Sequence, residues 1–140
     1  MAQAVAYLSE AWRSEAEKRL RDNLSPERMN RLTSSMTNVY KNCPDGRERF
    51  FFLRFEEGRL AEISVGTGAA PPAEFVISGD YAVFARITRA ELASHMALMT
   101  GKLKLKGNMV KALKLASLAD RINKVLATIE TAYEQPVERS

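Results

Sequence analysis

The stretch Met99-Thr-Gly101-Lys102-Leu103-Lys104-Leu105-Lys106-Gly107-Asn108-Met109 decides the fold. From Lys102 to Lys106, Lys and Leu alternate with period two, the pattern of a strand with one wet face and one buried face. A glycine at each end keeps that strand short. After Gly107 the period turns helical: Asn108 is a good N-cap, and apolar residues recur at Met109, Leu113 and Ala116. The stretch reads helix end, short strand, tight exit, long helix.

Downstream, Leu115, Leu118, Ile122, Val125 and Ile129 continue the apolar stripe of that long helix. Upstream, Thr88-Arg-Ala-Glu91 matches a capping box opening a helix through Leu92, Met96 and Met99, with Gly101 as its stop. Before it, Glu74 to Ile77 reads as a strand, and Ser78 as the cap of a helix with Tyr81, Phe84 and Ile87 inward. The prolines of the Gly66 to Ala73 loop exclude a central strand. Ser34 to Asn42, Arg47 to Glu56 and Leu60 to Val65 form an expected antiparallel meander, with turns at Cys43-Pro-Asp-Gly46 and Glu56-Glu57-Gly58. The run Phe50, Phe51, Phe52, Leu53, Phe55 is apolar on both faces, which predicts a strand covered on both sides; on the next strand Ala61, Ile63 and Val65 alternate inward. At the N-terminus Val5, Leu8, Trp12, Ala16 and Leu20 predict a helix over Ala4 to Leu24, and Ser25-Pro26-Glu27 a short second helix to Leu32.

The chain has 140 residues, 46% hydrophobic and 27% charged, as in an ordinary soluble domain. No apolar run approaches the ~20 residues of a membrane span, and Met1 to Glu10 lack the pattern of a signal peptide. The lone cysteine, Cys43, excludes an internal disulfide and fits a reducing compartment, so a cytoplasmic location is expected. His95 is the lone histidine and reads as a core-edge residue. Neither has a partner at metal-ligand spacing, and no Walker loop, nucleophile elbow or dinucleotide fingerprint is present. The expectation is a protein with no cofactor and no catalysis of its own.

The net charge of +4 is uneven. Between Gly101 and Lys124 seven cations (Lys102, Lys104, Lys106, Lys111, Lys114, Arg121, Lys124) face one acid, Asp120. Such a face suits an anionic partner such as a membrane surface, or is a solvated strand edge and helix face. No aromatic residue interleaves those lysines, which speaks against nucleic acid. Clustered Phe and Met near the Lys/Leu strand either pack together or wall a cavity, because methionine fills irregular space and tolerates varied partners.

The run Glu74-Phe-Val-Ile-Ser-Gly-Asp80, the stretch Met99 to Met109 and Ala112-Leu-Lys-Leu115 together resemble the sterol carrier protein 2 family. There, an extended run ending in Ser-Asp opens paired helices, and a Gly-Lys-Leu-Lys-Ile-Lys-Gly-Asp-Met-like strand leads into a helix starting like Ala-Met-Lys-Leu. Here Leu105 takes the Ile place and Asn108 the Asp place. The resemblance covers about residues 34 to 126 and implies an α+β fold: a five-stranded, mostly antiparallel sheet with helices on one face. Between them it implies an apolar tunnel for sterol, fatty acid, acyl-CoA or phospholipid, and no catalytic residues. Carried onto this chain, it makes Phe75, Ile77, Phe84, Met96, Met99, Leu103, Leu105, Met109 and Leu113 the expected lipid-binding wall. The expected organisation is an N-terminal helical segment (1–33) packed on a lipid-binding domain (34–130), then a frayed tail (131–140). The N-terminal segment is longer than a minimal domain of this type, and Trp12 or Tyr7 could plug the tunnel mouth. The alternative is a protein-interaction or dimerisation module with a filled core and no ligand.

Overall fold

A computed structural model describes residues 4–133. Its elements run β1 (Val5–Ala6), α1 (Glu10–Asn23), β2 (Ser34–Lys41), β3 (Arg49–Glu56), β4 (Arg59–Thr67), β5 (Phe75–Asp80), α2 (Tyr81–Thr88), α3 (Ser94–Met99), β6 (Leu103–Lys106), α4 (Met109–Lys114), α5 (Ala116–Leu126) and β7 (Thr131–Ala132). A five-stranded sheet has the order β4-β3-β2-β5-β6; its pairs are antiparallel except β2 with β5. The α+β architecture expected from the sequence is present, with the helices on one face.

Register assigns that face. Met36 lies beside Leu53 and Phe75, Asn38 beside Phe51 and Ile77, Tyr40 beside Gly79, and Gly79 beside Leu103. The period of two then puts Phe51, Leu53 and Phe55 toward the helices, and Phe50 and Phe52 away from them. Phe52 is nonetheless buried, beside Thr37, whose hydroxyl donates to the Pro71 carbonyl at 3.2 Å. The Gly/Pro loop thus lies over the far face, and the second cover expected for β3 is loop rather than helix. On β4 the register shifts at Arg54/Phe55, so that Leu60 is buried and Ala61 exposed, the reverse of simple alternation.

Helix α1 begins at Ser9, whose hydroxyl accepts from the Trp12 N–H at 3.2 Å. It buries Trp12, Ala16 and Leu20, while Glu10, Arg13, Glu17 and Arg21 form an ion-pair ladder outside. It starts later than the spacing predicts because Val5–Ala6 pairs in parallel with Thr131–Ala132 and Leu8 turns the chain at φ 66°. Thr131–Ala132, expected in the tail, therefore belong to a strand; residues 134–140 lie outside the described residues. The second N-terminal helix is only a turn, ended by left-handed Asn30 and Arg31. Gly58 packs against it so closely that an added Cβ would lie 2.6 Å from the Pro26 carbonyl oxygen.

Three further helix boundaries differ from expectation. Strand β5 runs on to Asp80, which stands at the N-cap of α2 in place of Ser78. Thr88 ends α2 and bonds Tyr7, so it caps nothing, and left-handed Ala90 turns the chain toward α3. The long last helix is interrupted at Leu115 (φ −91°, ψ 2°), giving α4 and α5. Asn108 does cap α4, its side-chain oxygen accepting from the Lys111 N–H at 3.0 Å.

Candidate functional site

Between the helix-facing side of the sheet and α2 to α5 lies a cavity of about 110 Å³. Its sheet wall includes Met36, Asn38, Phe51, Leu53, Phe75, Ile77 and Leu103, and its helical wall Phe84, Leu98, Leu113, Leu118 and Ile122. Phe75, Ile77, Phe84, Leu103 and Leu113 of the expected wall therefore meet around one space. Leu105 shares the sheet face of Ile77 but sits half-buried on the edge strand, outside the lining. Met96, Met99 and Met109 are 46%, 70% and 44% exposed and also lie outside the lining. The helices are short, and these side chains leave by the outer face.

Met36, Asn38, Phe51, Leu53, Leu118, Ile122 and His95 are lining residues that the sequence reading did not assign to the wall. The alternation of Phe51, Leu53 and Phe55 carried a signal. Ser34 to Lys41 did not, because its cavity side mixes Met36, Asn38 and Tyr40.

A buried cluster of hydroxyls adjoins the cavity. The Tyr7 hydroxyl lies 3.1 Å from that of Tyr40 and 2.9 Å from that of Thr88, and burial pushes both phenols well above their ordinary range. Tyr40 and Thr88 line the cavity, whereas Tyr7 and Trp12 do not. The indole packs edge-on behind Phe51, with ring centroids 5.1 Å apart, so the placement of Trp12 or Tyr7 at a tunnel mouth is corrected: they back the wall.

Near Ser34, Glu74 clips α4 to the sheet. Its carboxylate accepts from the Ser34 hydroxyl at 2.6 Å and from the Lys111 ammonium. Lys111, then Ser34, hold the carboxyl below its usual range. A depressed carboxyl stabilises the closed arrangement above its unfolded pKa, and that contribution is lost as pH falls through the lower folded value. Both partners are over a third exposed, so the effect stays within about 1 kcal/mol, or roughly fivefold. Glu74→Gln is expected to speed release of an uncharged fluorescent lipid by up to about fivefold at neutral pH, as acid does for the parent. Equal stopped-flow rates would remove the clip from the account.

All exposed large hydrophobic side chains among the described residues lie on α3 and α4: Met96, Met99, Met109, Val110 and Leu113, the last of which also lines the cavity. Lys111 and Lys114 stand on the same α4, Lys104 and Lys106 on β6, and Lys102 just before it. Among the described residues no cluster could hold a metal ion, and no helix is long and apolar enough to cross a membrane.

A family model described as the SCP-2 sterol transfer family matches residues 15–120. The crystal structure of a sterol carrier protein 2 has a TM-score of 0.76 at 23% identity, covering 88% of this chain and 98% of that one. The solution structure of a conserved hypothetical protein from Thermus thermophilus has a TM-score of 0.75 at 22% identity, covering 94% of each chain. That of a palmitated SCP2L2 from Aedes aegypti has a TM-score of 0.56 at 18% identity, covering 79% and 93%. No curated protein sequence matches the chain.

Proposed function

This chain belongs to the SCP-2 sterol transfer family, and from that premise we propose that it holds one lipid molecule in the cavity and moves it between membranes without changing it chemically. Membership supports lipid binding or transfer in general; the apolar cavity between sheet and helices is the observation that carries the finer reading. The proposed ligand is a sterol, fatty acid, acyl-CoA or phospholipid, with Phe75, Ile77, Phe84, Leu103 and Leu113 on its wall. Burying ten methylenes gains about 8 kcal/mol gross, so affinity needs few polar contacts and specificity is loose.

Size sets a condition. An apolar cavity of roughly 150 Å³ admits a benzene, so about 110 Å³ receives only part of an acyl chain. A whole lipid needs a wall to move. Helix α4 is the wall able to give: it has six residues, none buried, and is held by the Glu74 clip. The exposed apolar side chains of α3 and α4 with the adjacent lysines would then meet an anionic bilayer, each Lys near the surface adding about 1 kcal/mol. Residues 4–33 serve as a brace through α1, in a cytoplasmic protein.

The test is transfer of a fluorescent lipid from donor to acceptor vesicles containing phosphatidylserine. Met99→Asp with Val110→Asp is expected to slow transfer at least about tenfold with ligand affinity in solution little changed. Transfer unaffected by both charges would overturn the docking part. Absence of any lipid binding by the folded parent would return the protein to the interaction-module class.

A further inference from the structure

Two buried side-chain polar atoms lack a hydrogen-bond partner among the described residues: Trp12 Nε1 and His95 Nδ1. Trp12 is wholly buried away from the cavity. His95 stands in the first turn of α3 and lines the cavity. Its Nδ1 is shielded from bulk solvent, so a partner must come from the surrounding protein, which supplies none among the described residues, or from within the cavity. A buried group left unpaired is costly, and an apolar side chain would have filled this place without that penalty.

A lipid head entering the same space meets the matching difficulty. Its oxygen loses water and is penalised unless a polar group replaces it. Of the other polar groups on the lining, the Thr88 and Tyr40 hydroxyls are bonded to Tyr7 and the Ser34 hydroxyl to Glu74, and among the lining side chains His95 alone holds a buried atom without a partner among the described residues. Resting on the lipid-cavity reading, we infer that His95 Nδ1 is a polar anchor of the site and hydrogen-bonds the oxygen of a lipid head that enters the cavity. A neutral imidazole nitrogen donates or accepts according to its tautomer. A hydroxyl, as on a sterol or fatty alcohol, does both and suits either tautomer. A carboxylate only accepts and requires the proton on Nδ1.

The experiment measures displacement of a fluorescent lipid by dodecanol, dodecanoate and 1-chlorododecane, which share a chain and differ in the head. The proteins are the parent, His95→Phe and His95→Gln. The expected result is that His95→Phe lowers the ratio of dodecanol affinity to chlorododecane affinity about tenfold, the worth of one buried hydrogen bond. His95→Gln, which keeps a hydrogen-bonding group, restores at least part of the ratio. A parallel fall for dodecanoate assigns the head to carboxyl as well as hydroxyl; a fall for dodecanol alone restricts it to hydroxyl. An unchanged ratio in His95→Phe, with all three ligands still bound, overturns the anchor and leaves the lipid-cavity reading standing. No binding of any ligand by the parent overturns that reading itself.

Discussion

Trp12→Ala is expected to cost about 3–5 kcal/mol of stability. The indole is fully buried, and its ring meets Tyr7 at 5.0 Å and Phe51 at 5.1 Å between centroids, both edge-on. Edge-to-face aromatic pairs add to the loss of buried area. Tyr7 in turn touches the rings of Tyr40, Tyr81 and Tyr133, so removing the indole loosens a cluster shared by α1, β2, β3 and α2. Denaturant midpoints on parent and variant check this. A loss below about 1 kcal/mol would mean that the N-terminal segment is an appendage and not a brace.

Ala119→Phe is expected to lower lipid affinity at least about fiftyfold while the protein stays folded. Ala119 lines the cavity from α5. A phenyl ring occupies most of about 110 Å³, given that roughly 150 Å³ houses a benzene. Displacing three methylenes of ligand removes about 2.4 kcal/mol, or roughly fiftyfold. Overpacking costs about 1–3 kcal/mol, which circular dichroism and a denaturation curve register separately. Unchanged affinity in the folded variant would place the ligand elsewhere.

The local signals of the sequence were strong where chain geometry is local. Gly101 and Gly107, both at positive φ, bracket β6, and Asn108 caps the next helix. Leu103 faces the cavity because alternation has period two. What was not legible depends on distant partners. The break at Leu115 interrupts an unbroken apolar stripe that gives no warning of it. The parallel pairing of β2 with β5 sets Asn38 beside Ile77, a non-local contact that no pattern within Ser34 to Lys41 announces. Period also fixes a face without fixing depth. Leu105 shares the face of Leu103 yet stays half-buried near the strand's end, and Met96, Met99 and Met109 occupy helices too short to turn every apolar side chain inward. His95 read as a core-edge residue because the unpaired nitrogen is visible only once its surroundings are in place.

Native mass spectrometry of the gently purified protein beside Ala119→Phe shows whether the cavity carries a lipid. The parent is expected to carry one lipid-sized adduct, removable by organic extraction and absent from the folded variant. A parent found only at its bare chain mass, and still so after incubation with fatty acid, fatty alcohol and sterol, would contradict the lipid-cavity reading.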